Sequence, residues 1–342
     1  MNASTPVLPR WCSPAARLAA HAYGAVVDLR NARFDEGIGI RRVSRPVVSV
    51  GNIVAGGTGK SPVVRWIAQW ALDREMIPLI ALRGYRSKNG CSDEALEHQS
   101  LVPGARVAVG ANRHKTIEAA LARDSSARLV ILDDGFQHRA LARDLDLVLV
   151  DGSCSHLDGA LLPLGYLRES PRALRRASAV IVTHSADVNV ELDARIHALH
   201  GGAVLAWCAH EWEGLEIYRG AGHVQSESTP SAWLQNQRVA LWAGVAKPAA
   251  IAAEVRACGA DVVAFPALRD HAHYGPTRVG RLVAAAHEAR ATAIVLTTKD
   301  WVKVRVDSAA IDLPIVVPRL RLRFSHGEAA LCALLESAAS KQ

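Results

Sequence analysis

Between residues 46 and 183, short apolar and β-branched runs alternate with stretches whose apolar residues recur at helical spacing. The runs Pro46 to Val50, Ile77 to Leu82, Arg106 to Val109, Leu129 to Leu132, Leu145 to Val150 and Ala179 to Val182 read as strands, with helices at Pro62 to Arg74 and Arg113 to Arg123. Strands that are apolar at every position are buried on both faces. The pattern therefore predicts an α/β fold, a mainly parallel sheet with helices on both faces. It loosens over Cys208 to Gln237, where WEGLEIYRGAGH and QSESTPS are polar and glycine-bearing, and this segment reads as a linker. A second βα series follows at Val239 to Ala243, Asp261 to Ala264, Ala293 to Leu296 and Ile315 to Val317, predicting a smaller α/β domain. The expected organisation is an N-terminal helical region at 1–34, a first domain at 35–207, the linker at 208–237 and the smaller domain at 238–342.

Ahead of the first strand, Trp11, Ala15, Leu18, Ala22, Val26 and Leu29 recur near the helical period, while Arg17, His21 and Asp28 fall elsewhere on the wheel. An amphipathic helix of this kind packs on its own domain or lies in a membrane interface, with Arg10, Arg17, Arg30 and Arg33 near headgroups. The residues alone favour packing.

Composition narrows the class. Half of the 342 residues are hydrophobic, enough for a large core, which excludes a disordered or fibrous chain. The net charge of +7 comes from arginine, clustered at Arg41-Arg42, at Arg172, Arg175 and Arg176, and at Arg319, Arg321 and Arg323. Such clusters suit a solvated surface or an anionic partner, and charge does not separate the two. The six cysteines include no C-x-x-C pair, so neither a zinc site nor a disulfide framework is signalled and a reducing, cytoplasmic setting is expected. No run approaches the roughly 20 apolar residues of a spanning helix, and the N-terminal residues lack a signal peptide's apolar core and cleavage site.

The candidate chemistry begins at VVSVGNIVAGGTGKSPVV, Val47 to Val64. An apolar strand, a glycine loop and a helix starting near Lys60 form the arrangement that binds phosphate. Gly56, Gly57 and Gly59 allow consecutive backbone N–H groups to face one cavity with Thr58 between them. Lys60 can reach β- and γ-phosphates and Ser61 can ligate Mg²⁺. Pro62 falls in the first helical turn, where a missing N–H is harmless. Yet the usual spacing requires a glycine five residues before Gly59, and that position is Val54. A second element is RLVILDDGFQH, which puts Asp133 and Asp134 at the carboxyl end of an apolar strand, where α/β sheets bind ligands and where the pair could hold Mg²⁺.

In these segments the chain resembles the tetraacyldisaccharide 4'-kinases, whose loop, typically VGNITVGGTGKTP, is itself irregular; VGNIVAGGTGKSP matches it with valine at position 54. Further matching segments follow in the family's order: RGY at Arg83, DE at Asp93-Glu94, LDDGFQHRAL from Leu132, LLPLGYLRESP from Leu161, WAGVAKP from Trp242, DHAHY from Asp270 and TTKDWVKV from Thr297. The resemblance implies transfer of the ATP γ-phosphoryl group to the 4'-hydroxyl of a tetraacyldisaccharide 1-phosphate, giving lipid IVA, by an Mg²⁺-dependent P-loop enzyme. It implies peripheral binding through the N-terminal helix to the cytoplasmic face of the bacterial inner membrane, without nucleic acid or an obligatory protein partner. It casts Asp93 as the base that accepts the hydroxyl proton, with His271 orienting it or sharing the proton, work that suits a carboxylate–imidazole pair near neutral pH. Arg168, Glu169 and Glu94 become substrate-side residues, and Lys299 and Asp300 help to shape the interdomain region. The chain departs from the family's pattern at Arg86, Ala95, Ala272 and Thr298.

Two other classes make distinguishable demands. A P-loop GTPase or ATPase switch would carry a T-K-x-D or N-K-x-D segment, whereas TTKDW sets Asp300 directly after Lys299. An inactive nucleotide-binding homologue would have lost Lys60 or the acidic pair, and both are present.

Overall fold

The computed structural model describes residues 13–84, 93–219, 225–245, 248–268 and 274–341. They divide into two compact units, the first made of residues up to His210 together with Leu322 onward, the second of Glu211–Arg321.

In the first unit, α1 (Ser13–Asp35) precedes β1 (Val47–Asn52), α2 (Lys60–Leu72), β2 (Ile77–Leu82), α3 (Asp93–Leu101), β3 (Arg106–Val109), α4 (Arg113–Arg123), β4 (Ala127–Asp133), β5 (Leu145–Asp151), β6 (Ala179–Thr183) and α5 (Val190–His200). The strands run parallel in the order β6-β5-β1-β4-β2-β3. β1 and β5 are buried along their whole length, as apolar runs of a covered sheet must be. On one face Val48 and Val50 of β1 pack with Val63, Val64 and Ile67 of α2. Elsewhere Ile117 and Leu121 of α4 cover Val47, Leu79 and Val130, and Leu192 and Ile196 of α5 cover Val148 and Val180. Because β1 lies between β4 and β5, the direction of winding reverses there, and the crevice at its carboxyl end is where a sheet of this topology takes a ligand.

The second unit contains β8 (Gln225–Thr229), β9 (Arg238–Trp242), α6 (Pro248–Ala257), β10 (Asp261–Ala264), α7 (Pro276–Glu288), β11 (Ala293–Leu296) and α8 (Thr298–Val304). Two long strands, β7 (Ala206–Arg219) and β12 (Ile315–His326), begin in one unit and end in the other. Within the second unit β10-β9-β11-β12 are parallel and β8 pairs antiparallel with β7.

The organisation differs from the sequence expectation in two places. The segment expected as a linker, 208–237, forms most of β7 and all of β8. Leu215 and Ile217 point into the core while Glu216 takes the other face, so the hairpin is half-exposed and lacks a continuous apolar run. The chain then returns to the first unit at Leu322. There Leu331, Leu335 and Ala338 of α9 (Glu328–Ala339) join the core of α2 and β1.

The helix α1 also presents its faces unexpectedly. Ala16, Ala20 and Val27 are buried, and Tyr23 donates its hydroxyl to the Arg168 carbonyl. The bulkier apolar face points outward: Leu18 is 74 % exposed, Val26 67 % and Leu29 70 %. Small residues let the helix approach closely, as at Gly24, where an added Cβ would meet Leu161 at 2.8 Å. The arginine cluster on β12 is partly neutralised, Arg319 pairing with Glu216 and Arg321 with Glu211.

Candidate active site at the carboxyl ends of the strands

The β1–α2 loop is anchored before it turns. Ala55 donates its amide to the Tyr166 carbonyl at 2.7 Å and Arg168 donates to the Ile53 carbonyl at 2.7 Å, so Ile53 to Ala55 form a short antiparallel bridge with Tyr166 to Arg168. Val54 is buried in the cluster that holds Phe136 and Leu167. This accounts for the absent glycine: the backbone at 54 is paired and extended, and a β-branched apolar side chain fits a core position there.

Beyond the bridge the loop opens. Gly56 and Gly57 are exposed, and Gly56 and Gly59 adopt positive φ (148° and 72°), which side-chain-bearing residues avoid. Thr58 is turned inward: its Oγ1 accepts from Asn52 Nδ2 at 2.8 Å and its carbonyl accepts from the Thr183 hydroxyl at 2.9 Å. Lys60, Ser61 and Pro62 form the first turn of α2, where Gly59 supplies no side-chain cap. The uncapped amides of that turn are a natural seat for an anion.

The two aspartates after β4 are not equivalent. Asp133 is buried, and its Oδ2 lies 3.0 Å from Nε2 of His98, a fully buried residue of α3. Arg113, buried at the start of α4, donates to the Asp133 carbonyl. Burial pulls the Arg113 guanidinium below its ordinary pKa, opposed by the charges of Asp134 and Asp133. Asp134 has positive φ (54°) and a side chain 37 % exposed, 3.4 Å from Lys60 Nζ and 2.7 Å from Arg168 Nη1. Burial works against its ionisation, but the Lys60 and Arg168 charges prevail and hold the carboxyl below the usual carboxylate range.

The fold thus brings two distant expected site residues, Asp134 and Arg168, to Lys60 at the loop. Glu169 is placed differently. Only 1 % exposed, it accepts from Asn31 of α1 at 2.8 Å and from Gln137 at 3.0 Å, and pairs with Arg176 at 3.0 Å. Gln137 also donates to the Asn52 carbonyl, so Glu169 ties α1, the post-β4 turn and the end of β1 together. Asp93 and Glu94, expected in a polar loop, open α3; an aspartate is a favourable residue at a helix start. The Glu94 charge acts on Arg113. His271 and Asp270 lie outside the described residues. Asn31, His98, Arg113 and Gln137 were not legible as site residues, for nothing in their spacing links them before the chain folds; only Gln137, three places after Asp134, stood inside a recognised motif.

In the second unit, Asp300 is fully buried. Its Oδ2 accepts from the Thr297 hydroxyl at 2.6 Å and from the Gly244 amide at 3.0 Å, and its own amide lies 3.2 Å from Thr297 Oγ1 at the start of α8. Tyr274 stands beside it, its phenol pKa raised by burial and then by the Asp300 charge.

The residues at the β1–α2 loop fit Mg²⁺ as an ion that takes one or two carboxylates and completes its shell with phosphate and water. Asp134 Oδ1 faces Lys60 Nζ at 3.4 Å, and Ser61 lies in the same helical turn as Lys60. Among the described residues no group of three or more His, Cys, Asp or Glu could hold a metal by itself.

A parallel sheet with its phosphate loop after the first strand and an acidic pair after a neighbouring strand defines a P-loop NTPase-like protein. The model of the LpxK family, tetraacyldisaccharide-1-P 4'-kinase, matches residues 13–340. A tetraacyldisaccharide 4'-kinase of Geobacter metallireducens is 34 % identical over 82 % of this chain and 85 % of its own, and one of Koribacter versatilis 32 % identical over 92 % and 96 %. The chain belongs to this family. LpxK of Aquifex aeolicus, solved in complex with ATP, superposes with a TM-score of 0.71 at 23 % identity, over 96 % of this chain and 98 % of that one.

Proposed function

We propose that this protein transfers the γ-phosphoryl group of ATP to the 4'-hydroxyl of a tetraacyldisaccharide 1-phosphate. Family membership supports the reaction, and the observation that carries it here is the meeting of Lys60, Arg168 and Asp134 at the open glycine loop. Phosphoryl transfer depends on positioning and charge stabilisation. Lys60 and the uncapped first turn of α2 hold phosphate oxygens, and Arg168, fixed to the loop by the Ile53 bridge, adds a second cation. Asp134 and Ser61 would hold Mg²⁺, which supplies further neutralisation of the phosphates when bound. Asp133, locked to His98, sets the turn that aims Asp134. Asp93 is the proposed base, at the start of α3, with His271 as its partner. Glu169 acts by positioning Arg168 and α1.

The exposed face of α1 supports a role at a membrane surface. No described helix is long and apolar enough to cross a bilayer. Leu18, Val26 and Leu29, flanked by Arg17, Arg30 and Arg33, have the make-up of an interfacial helix. The face of a bacterial inner membrane that carries ATP is the cytoplasmic one, and we place the protein there, peripherally.

The test is transfer of labelled phosphate from ATP to the acylated disaccharide 1-phosphate in detergent micelles with Mg²⁺, beside Lys60→Ala and Asp93→Ala. Lipid-dependent transfer by the native protein, reduced about 10²–10³-fold or more in either variant, is the expected outcome. Absence of lipid-dependent transfer, or undiminished transfer by both variants, would overturn the reading.

A further inference from the structure

We infer that His184 and His210 form the surface against which the base of the nucleotide rests, with His184 the stacking residue. The inference deepens the nucleotide-binding reading above and depends on it. Topology supplies the first reason. Asp133 and Asp134 follow β4 and Asp93 follows β2, so the proposed base and the acidic pair lie on one side of β1 in the sheet. A nucleotide whose phosphates occupy the loop and whose γ-phosphoryl faces that side extends its nucleoside the other way, toward the carboxyl ends of β5 and β6. Those ends carry Asp151 and Thr183-His184. The neighbouring β7, parallel to β6 through Ile181↔Ala206 and Val182↔Trp207, carries His210 just beyond.

Packing supplies the second. A Cβ built on Gly59 would lie 3.2 Å from His210 Cε1 and 3.5 Å from His184 Nε2, so both imidazoles stand against the last glycine of the loop. The Thr183 hydroxyl bonded to the Thr58 carbonyl joins the end of β6 to the same loop.

The third reason is how His184 is held. Its φ is 53°, a conformation uncommon outside glycine and one that clusters at ligand sites. Its Nδ1 lies 3.1 Å from Oδ1 of Asp151, a carboxylate that also accepts from the amide and hydroxyl of Ser153 at 2.9 and 2.6 Å. The His210 ring meets it edge-on with centroids 4.9 Å apart. The ring is thereby bracketed by a carboxylate and a second imidazole while the side chain stays 26 % exposed. Two buried or half-buried imidazoles, a carboxylate close beside them and a strained backbone exceed what a loop needs merely to close. An imidazole so placed offers a planar face to a purine, and stacking of this kind is tolerant of base identity.

The test separates base from phosphate. Calorimetric titration of the full-length protein without lipid compares ATP with inorganic triphosphate, for the native protein, His184→Ala and His184→Phe. His184→Ala is expected to bind ATP about tenfold more weakly, equivalent to ~1.4 kcal/mol, with inorganic triphosphate unchanged. His184→Phe, which keeps an aromatic face without ring nitrogens, restores ATP binding. Unchanged ATP affinity in His184→Ala, or equal weakening of both ligands, overturns the inference while leaving the nucleotide site standing. If the native protein binds neither ligand, the nucleotide reading of the loop falls and this inference with it.

Discussion

Asp134 in the first unit and Asp300 in the second both follow the carboxyl end of a parallel strand, in the segments LDDG and TTKD. Asp134 is 37 % exposed and held by two cations, whereas Asp300 is fully buried and held by a hydroxyl and a backbone amide. A carboxylate half in water beside Lys60 and Arg168 can exchange those partners for an ion or a phosphate-bound metal. A carboxylate sealed around Thr297 and Gly244 fixes the start of α8 and the turn after β9. The contrast teaches that a motif's acid is assigned by what surrounds it, because the two aspartates take similar places after a strand and differ greatly in burial.

The sharpest way to break that comparison is a pair of substitutions. Asp134→Asn should lower phosphoryl transfer by about 10²–10³-fold while moving the thermal midpoint little, since partly exposed ion pairs contribute only ~0–1 kcal/mol. Asp300→Ala should instead cost about 2–4 kcal/mol of stability, by leaving the Gly244 amide and the Thr297 hydroxyl without their acceptor. Thermal unfolding and transfer assays on both variants decide it; comparable melting losses would erase the distinction.

A second comparison, between the two faces of α1, predicts a smaller effect. Replacing Leu18, Val26 and Leu29 by serine should weaken co-sedimentation with anionic vesicles by roughly 2–3 kcal/mol and leave the melting temperature unchanged, because these side chains lie outside the core. An unchanged vesicle-bound fraction would return the helix to a purely structural role.

The smallest expected effect concerns acid. Burial, followed by the His184 and Arg65 charges, pushes the His210 imidazole down from 6.5 to about 4. The unfolded chain therefore takes up this proton first as pH falls. The stabilisation is complete above about pH 6.5 and is lost as pH falls toward about 4, on the order of 1–3 kcal/mol. Stability measured against pH for native protein and His210→Asn should show a shallower acid decline in the variant; parallel curves would contradict the assignment.

Much of this arrangement could be read from the chain. β1, β2, β4, β5 and β6 were visible because they are buried on both faces and their residues are mainly apolar, and the glycine loop and LDDG announced themselves at strand ends. β7 and β8 escaped because a half-exposed hairpin mixes Glu216 and Glu227 with Leu215 and Ile217. Amphipathicity located α1 but misdirected its faces: alanine and glycine at Ala16, Ala20 and Gly24 make the tight contact, and the larger residues face out. Glu169, expected beside a substrate, is enclosed by Asn31, Gln137 and Arg176, three residues from separate parts of the chain that only the completed fold assembles. His98 reaches Asp133 for the same reason, across the parallel pairing of β2 with β4.

The return of the chain at Leu322 has a consequence for how the protein is made. Leu331, Leu335 and Ala338 of α9 complete the core around Val63, Val64 and Ile67, which the ribosome has delivered long before. At roughly 5–20 residues per second, the interval between α2 and α9 is on the order of tens of seconds. During that time the nascent glycine-loop unit carries an uncovered apolar surface while the whole of the other unit is being translated.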